Sequence, residues 1–343
     1  MRRLTRFFDF YKSLAASYSP DAEGGLSSHA ELFAIIEKLR LDPDISKADL
    51  RIELQKIGDK GPDSSVEGKE SAISLAVRVF TMVSCSTDPG SEDLLESGLR
   101  AFYWNNDTSI CQFIKDSFPL SDHPGLNDHD STSSCSIKAT LRARKLRKRA
   151  GILFRPTDDL RSHLKLDHKS GILYIFHHTA FLKEHLRVTR DLTRDLSVSD
   201  SLKRGALPRQ LVLEILDSIQ KIIFPLDDPD SRAILQSLTS RQNAGFDPDC
   251  IRFESATIRK PEEKEINYYY FGSRLVELYE EVQNPRPRGW LEKWLQRRSG
   301  ARYVMLATLL GVIIAILLGL AGLAVSSYQT WIAYQQWKHP INR

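Results

Sequence analysis

The longest apolar stretch of the chain lies near its C-terminal end. Residues 303–337 contain no charged side chain, and residues 303–325 are almost wholly apolar. An α-helix rises about 1.5 Å per residue, so this segment extends about 34 Å, enough to cross a hydrocarbon layer about 30 Å thick. Helices of soluble proteins rarely run past about 20 residues without a polar face. The segment 303–325 is therefore predicted to be a transmembrane helix.

The charges that flank the predicted span indicate its orientation. Six cations precede it within residues 286–302, whereas residues 326–343 carry two. Cationic residues near a span are retained on the cytoplasmic side of a membrane. The large N-terminal part is therefore expected in the cytosol, and a single late span predicts tail anchoring. Residues 326–343 form a short aromatic tail, in which Trp331 and Trp337 are expected to mark the opposite membrane surface.

The segment just before the span, residues 285–302, combines tryptophans with cations. Trp290 and Trp294 share one helical face, and the cations Arg297, Arg298 and Arg302 follow. Indole rings favour the headgroup level of a bilayer, and each cation near anionic lipid contributes about 1 kcal/mol. We expect this segment to lie in the interface, with the lipid bilayer and its anionic headgroups as partners.

Small residues recur at four-residue steps inside the predicted span. They are Ala307, Gly311, Ala315 and Gly319. Such spacing places them in one narrow stripe along which two helix backbones can approach closely. Small residues are also common in membrane helices that do not associate. The stripe is therefore consistent with two alternatives, a homo-oligomer formed through the span or a membrane helix that does not associate.

The rest of the chain has the composition of a folded protein, with 41% hydrophobic residues and a net charge of +4. Helical spacing of apolar residues dominates. Residues 163–166 and 172–176 flank a turn at 167–171 and predict a β-hairpin. The expected fold is mainly α with a small β-hairpin or sheet, an α+β cytosolic region, followed by one C-terminal transmembrane helix.

Changes in composition along the chain predict its domain boundaries. Residues 121–136 are rich in Ser and Asp and poor in large apolar side chains, as in a linker. The predicted segments are a helical lobe at 1–120, a linker at 121–136, a mixed α+β lobe with a basic opening helix at 137–284, the interfacial segment at 285–302, the span at 303–325 and the tail at 326–343.

The chain carries no glycine-rich phosphate loop, dinucleotide fingerprint, nucleophile elbow or HExxH motif. Its four cysteines lack CxxC spacing, which argues against a zinc site. His177 and His178, at the end of the predicted hairpin, could supply a metal or acid–base site. Adjacent strand residues point to opposite faces, so the two are not expected on one ion. No catalytic residue, metal ligand or cofactor is therefore predicted.

Six Lys and Arg residues crowd residues 142–149. One interpretation is a nuclear import signal or a nucleic-acid-binding arm. The small net charge and the absence of interleaved aromatic residues favour another, a solvated or acid-paired helix. Nucleic acid is therefore not an expected partner.

The triplet Asn106-Asp107-Thr108 matches the N-glycosylation pattern. Glycosylation requires a lumenal position, whereas the flanking charges predict a cytosolic one. Asn106 is thus a candidate acceptor only if the large N-terminal part is lumenal.

Three stretches carry a family resemblance, namely residues 150–160, 177–186 and 287–295 continuing into the span. Through them the chain resembles a group of functionally uncharacterised proteins of filamentous ascomycete fungi. Its second half is distantly similar to the plant family of unknown function numbered 247, in which an apolar segment like 151–154 precedes a strand pair around a turn like 169–171. The resemblance implies a membrane-anchored accessory protein that influences hyphal surface or colony morphology, and it supplies no catalytic motif.

These observations leave three functions open. The expected one is a single-pass membrane protein acting as a non-enzymatic interaction or regulatory module with protein partners. The alternatives are a membrane-tethered enzyme with a histidine-based site, and a nuclear-envelope or nucleic-acid-binding protein that uses residues 142–149. A pocket holding His177 or His178 against a carboxylate would favour the enzyme.

Overall fold

The computed structural model describes residues 2–17, 28–57, 66–86, 95, 97–128, 131–191, 197–240, 245–253, 258–286 and 302–338. Contacts divide the chain into two units. Met1–Arg286 is called the body, and Pro287–Arg343 is called the C-terminal unit.

The protein is mainly helical, as the apolar spacing predicts. The described α-helices are α1 (Thr5–Ser17), α2 (His29–Leu41), α3 (Lys47–Ile57), α4 (Val66–Thr81), α5 (Ile110–Ser117), α6 (Pro124–Asn127), α7 (Thr132–Thr140), α8 (Ala143–Ala150), α9 (Thr179–Val188), α10 (Val198–Lys203), α11 (Arg209–Asp217), α12 (Pro229–Ser240), α13 (Gly272–Gln283) and α14 (Arg302–Lys338). Shorter helical turns are Arg2–Leu4, Leu160–Ser162, Ser218–Ile223, Pro248–Ile251 and Pro261–Glu263.

Serine side chains begin several of these helices. Ser28, Ser109, Ser131 and Ser197 each accept a hydrogen bond from the backbone N–H three residues later. This contact satisfies one of the N–H groups that a helix leaves unpaired in its first turn. At the other end of α8, Gly151 adopts a left-handed conformation with φ of 61°, which glycine accommodates without strain.

Two small sheets accompany the helices. In the first, β1 (Cys85–Ser86) pairs in parallel with β2 (Phe102–Tyr103). In the second, β3 (Leu153–Thr157), β4 (Leu166–Asp167) and β5 (Ile172–Phe176) lie in the order β3-β5-β4. β4 runs antiparallel to β5, which confirms the predicted hairpin, and β3 adds a parallel partner on the other side of β5.

Strand β5 is the buried centre of the second sheet. Leu173, Tyr174, Ile175 and Phe176 are all buried, as expected for a strand covered on both faces. Parallel pairing sets Leu153 opposite Ile172 at one end of the strands. A cluster of polar side chains lies at their other end.

The stretch 121–136, which was predicted to be a linker, is partly helical in its described residues and belongs to the body. It contains α6 and the start of α7, and Leu126 and Ser134 within it are buried. The Ser134 hydroxyl donates to the Leu126 carbonyl at 2.7 Å, and the Ser121 N–H donates to the Tyr269 carbonyl at 2.8 Å. Its small polar side chains thus bond to backbone groups inside the body, although their composition alone is typical of a solvated linker.

Helix α14 covers the predicted span and continues past it. It continues beyond residue 325 as far as Lys338, because residues 326–338 contain neither Gly nor Pro to interrupt a helix. Within it, the most apolar 18-residue window of Thr308–Gln335 has a mean hydropathy of 2.7, and none of that window is buried. The helix is therefore long and apolar enough to cross a membrane.

Candidate functional site at the ends of two parallel strands

The pairing of β3 with β5 brings the first two site residues together. Thr157 lies opposite Phe176 in parallel register, so Asp158 and His177 leave the sheet side by side. The His177 Nε2 atom lies 3.0 Å from the Asp158 Oδ1 atom. The register of the sheet therefore creates the contact between the carboxylate and the first imidazole.

His178 reaches the same oxygen because the strand has ended. Its backbone angles, φ of −74° and ψ of 62°, together with a 2.7 Å hydrogen bond from the Thr179 N–H to the His177 carbonyl, form an inverse γ-turn. The His178 Nε2 atom lies 2.7 Å from Asp158 Oδ1. The sequence-based expectation that the two histidines point to opposite faces is therefore wrong.

The cluster lies in a pocket of about 290 Å³ beside helix α1. From α1 come Arg6, Asp9, Phe10 and Ser13, and Gly245 lies among the other lining residues. Both histidines are buried, whereas the Asp158 side chain is half exposed. The carboxylate is thus the part of the cluster that a solute in the pocket meets first.

Hydrogen bonds determine which nitrogen of His177 carries its proton. The backbone N–H of Asp247 donates to His177 Nδ1 at 3.1 Å, so that nitrogen presents its lone pair. The proton of the neutral ring is then on Nε2, from which it is donated to Asp158. Both nitrogens of His177 are therefore engaged.

His178 differs from its neighbour. Its Nε2 atom donates to Asp158, but its Nδ1 atom is buried and has no hydrogen-bond partner among the described residues. The rings of Phe10 and Phe176 pack against the imidazole at centroid distances of 5.5 Å. The aromatic surroundings leave the Nδ1 lone pair unused.

Asp158, His177 and His178 offer three ligand atoms within 4.8 Å of one another, a spacing that a metal ion could bridge. A metal on Nε2 of His177 would require the lone pair there and the proton on Nδ1. That proton would face the Asp247 N–H, whereas metal-bound histidines donate their second N–H to a carbonyl or carboxylate. The geometry therefore suits proton donation to a carboxylate better than metal binding.

The charges of the cluster follow from burial and hydrogen bonding. Burial lowers the pKa of His177 to about 4, with the hydrogen bond to Asp158 acting in the opposite direction. Burial would raise the pKa of Asp158, but the hydrogen bonds from His177 and His178 outweigh it and lower that pKa below its usual range. At neutral pH the site is thus an ionised carboxylate that accepts an N–H from a neutral His177.

A second set of buried polar contacts anchors the segment behind the site. The Lys183 ammonium donates to Asp249 Oδ2 at 2.6 Å, and the Thr179 hydroxyl donates to the same atom at 3.0 Å. The Cys250 thiol donates to the His177 carbonyl at 3.1 Å, and burial raises its pKa to about 12, which makes it a poor nucleophile. These bonds hold the start of α9 against residues 247–250.

The site residues predicted in the C-terminal unit are only partly described. Trp290, Trp294, Arg297 and Arg298 lie outside the described residues, and Arg302 is the first residue of α14. Trp331 and Trp337 are exposed on that helix. Ala307, Gly311, Ala315 and Gly319 all lie in α14.

The two glycines of the small-residue stripe, Gly311 and Gly319, have open space around them. A Cβ atom added at Gly311 or Gly319 would meet no heavy atom within 4 Å. Both positions therefore have room for a neighbouring helix, and equally for lipid.

The cations of residues 142–149 are partly neutralised by acidic residues. Arg142 pairs with Asp227 at 2.6 Å, and Arg144 pairs with Asp230 at 3.0 Å. These contacts are those of an acid-paired helix at its first turn.

The potential glycosylation site lies in a turn. The Asn106 carbonyl accepts from the Ala48 N–H at 3.0 Å, and the Thr108 hydroxyl donates to the Asn105 carbonyl at 2.9 Å. Asn106 is half-buried, and its modification stays tied to the topology of the chain.

Comparisons with known proteins supply no template for this site, because no protein-family model, curated protein or solved structure matches the chain. The resemblance to the fungal group therefore stays a prediction.

Asp158 carries no site signal of its own in the sequence, because two aspartates after Pro156 are typical of a helix cap. Asp159 does cap the turn Leu160–Ser162 by accepting from the Arg161 N–H, whereas Asp158 accepts from the two histidines. The apolar run at residues 152–154, followed by Arg155, Pro156 and Thr157, could have indicated a short edge strand that ends before Asp158.

Proposed function

We propose that the chain is a single-pass membrane protein, anchored by α14, whose body acts in the cytosol as a non-enzymatic interaction or regulatory module. One observation carries the proposal. Between Leu309 and Val325, eleven Leu, Ile and Val side chains are each at least 45% exposed. Leaving such side chains in water costs about 1.5–3 kcal/mol each.

The distribution of these side chains favours lipid as their environment. They surround the helix instead of forming one stripe, and a protein groove covers only one face of a helix. A bilayer covers all faces at once. The cations of residues 286–302 support an orientation with the body on the cytoplasmic side.

The hydrogen bonds of the Asp158 cluster support a non-enzymatic body. Asp158 accepts both histidine N–H groups on one oxygen, and the Asp247 N–H occupies the remaining nitrogen of His177. The last nitrogen, Nδ1 of His178, is buried. A general base needs its lone pair within reach of a substrate, so this arrangement favours a structural role for His177 and His178.

Membrane insertion is tested by alkaline carbonate extraction of the expressed full chain. We expect the wild type in the membrane pellet and the variant Ile314→Arg plus Leu317→Arg in the supernatant, because each central Arg costs about 2.5–3.5 kcal/mol. Leu120→Arg plus Leu226→Arg, which changes exposed leucines of the body, is the matched control and should stay in the pellet.

The orientation of the body and its interaction with protein partners are tested in the same membranes. Protease added to sealed vesicles should digest the body, and glycosidase should leave its mobility unchanged. A protected body or a glycosylated Asn106 would reverse the orientation. Proximity labelling from the body should then recover the same protein partners with wild type and with Asp158→Asn.

A membrane-tethered enzyme is a second candidate, because His178 does lie against a carboxylate at a pocket. Asp158 and His178 form a dyad in which the carboxylate polarises the ring and increases the basicity of Nδ1. Its test is a small-molecule screen that follows the thermal unfolding of the full chain in detergent. A compound that stabilises the wild type but neither Asp158→Asn nor His178→Gln would favour the enzyme over the module.

A further inference from the structure

The last turn of α8 presents three consecutive exposed cations, Arg147, Lys148 and Arg149. The apolar side of the helix, including Leu146, is buried in the body. The helix therefore packs in the ordinary amphipathic manner and directs its positive charge outward.

Two acidic residues pair with cations at the start of α8. Asp227 and Asp230 pair with Arg142 and Arg144, whereas Arg147, Lys148 and Arg149 have no ion pair within the part of the chain that the structure describes. Burial lowers the pKa of Lys145, and the charges of Arg149, Arg142 and Arg144 lower it further. The C-terminal turn of α8 thus presents three cations that are not engaged in an ion pair among the described residues.

The positive surface continues onto the edge of the second sheet. Leu153 and Arg155 alternate along the edge strand β3 and are both exposed. The Leu153 N–H donates to the Gly171 carbonyl at 2.9 Å, which brings the hairpin turn with exposed Lys169 to the start of β3. We call the six exposed residues Arg147, Lys148, Arg149, Leu153, Arg155 and Lys169 the basic face.

We propose that the basic face docks the body onto anionic phospholipid headgroups of the membrane that holds α14. The inference rests on the proposed membrane anchoring and cytosolic orientation. Anionic lipids are concentrated in the cytoplasmic leaflet, so the charge of the basic face is complementary to that surface. The exposed leucine can enter the headgroup layer among the cations.

Lipid fits the basic face better than nucleic acid does. Single-stranded nucleic acid is held by stacking its bases on aromatic side chains, and the exposed apolar member of the basic face is the aliphatic Leu153. A helix C-terminus also attracts cations for its own stability, worth about 0.3–1 kcal/mol each. That effect does not extend to Arg155 and Lys169, which lie outside α8.

The anchor makes weak docking effective. Residues 287–301 separate the body from α14, so the body stays at high local concentration near the bilayer. Because each cation near an anionic surface contributes about 1 kcal/mol, removing three cations should lower the ratio of docked to undocked body by on the order of 100-fold.

The experiment uses the full chain reconstituted into vesicles of phosphatidylcholine alone or with one third phosphatidylserine. Cys135 is the exposed thiol among the four cysteines and accepts a donor dye, while a headgroup-labelled lipid carries the acceptor. We expect energy transfer to rise with phosphatidylserine and to return to the neutral-lipid value in high salt. Arg147→Gln, Lys148→Gln and Arg149→Gln together should abolish the rise. Lys115→Gln, Lys203→Gln and Arg204→Gln, at exposed cations elsewhere on the body, should preserve it.

The outcomes separate this inference from the proposed function. Carbonate extraction of the reconstituted chain would contradict the anchoring itself. If the chain is inserted but its energy transfer does not change with phosphatidylserine, the docking alone is overturned. The same conclusion follows if energy transfer rises equally in wild type and in the variant at Arg147, Lys148 and Arg149. A labelled RNA that binds the wild type in neutral vesicles and not this variant would assign the basic face to nucleic acid.

Discussion

Asp158 joins distant parts of the chain through a single oxygen atom. Its Oδ1 accepts from His177 and His178, and His177 in turn accepts from the backbone of Asp247. Hydrogen bonds to a charged group contribute about 1.5–3 kcal/mol, more than neutral ones. Because half of the Asp158 side chain is exposed, solvent screens part of this gain.

Substitution Asp158→Asn removes the charge and retains the shape. We expect the free energy of unfolding to fall by about 1–2 kcal/mol, since one oxygen then accepts two N–H groups without a negative charge. The measurement is urea denaturation of the full chain in detergent at pH 7. Asp9→Asn, at an exposed aspartate of the same pocket, is the control and should change stability by less than about 0.5 kcal/mol. Equal stability of the Asp158 variant and wild type would contradict the structural role.

The proton arrangement of His177 predicts the response to zinc. A metal bound only by the folded state would raise the unfolding midpoint as its concentration rises. We expect no such rise for the wild type, because the Asp247 N–H holds the Nδ1 lone pair of His177. A zinc-dependent rise that His177→Gln removes would show that the ring can exchange its proton for a metal.

At the level of elements, residues 308–325 of α14 are apolar around the whole circumference of the helix, and Gly311, Ala315 and Gly319 form a stripe of small residues along it. The hypothesis of self-association through Gly311 and Gly319 predicts that Gly311→Ile plus Gly319→Ile reduces crosslinking of the full chain in membranes, because two large side chains then separate the backbones. Leu310→Ile plus Leu318→Ile, outside the stripe, is the control. Crosslinking that is equal in wild type and the glycine variant would remove the hypothesis.

At the level of the whole molecule, buried titratable groups control how stability depends on pH. Burial lowers the pKa of His177 and of His185 to about 4, and that of His163 well below 6.5. Between pH 6.5 and 4 these histidines bind protons in the unfolded chain but stay neutral in the folded body, so the free energy of unfolding falls as pH falls. Burial of Glu214 raises its pKa to about 7 and acts in the opposite sense, because the folded body binds this proton first.

The net effect of these groups is a loss of stability in acid. Near pH 5 the unfolded chain binds about three more protons at the three histidines and about one fewer at Glu214, a net difference of about two protons. The free energy of unfolding should therefore change by about 3 kcal/mol per pH unit. Urea denaturation of the full chain in detergent at pH 7, 6 and 5 measures it. His185→Asn, whose carbonyl can replace the Nδ1 acceptor for the Leu207 N–H, should lower the slope by about one proton. A stability that is flat over this range would contradict the assignment of buried neutral histidines.

Local patterns in the amino-acid sequence were sufficient for the helical class, the hairpin of β4 and β5 and the apolar helix at residues 303–325. Each depends on neighbours along the chain: periodicity, a turn with Gly171, or a long run without charge. The same local reasoning failed at 121–136, where packing inside the body satisfies small polar side chains that would otherwise be solvated.

The candidate site required the tertiary structure. Parallel pairing of β3 with β5 is a long-range contact, and it alone sets Asp158 beside His177. A γ-turn at His178 then redirects a side chain that strand alternation assigns to the opposite face. The sequence specifies the apolar helix because hydrophobicity and length are local properties, whereas strand register and side-chain direction at a strand end depend on which distant segments pack together.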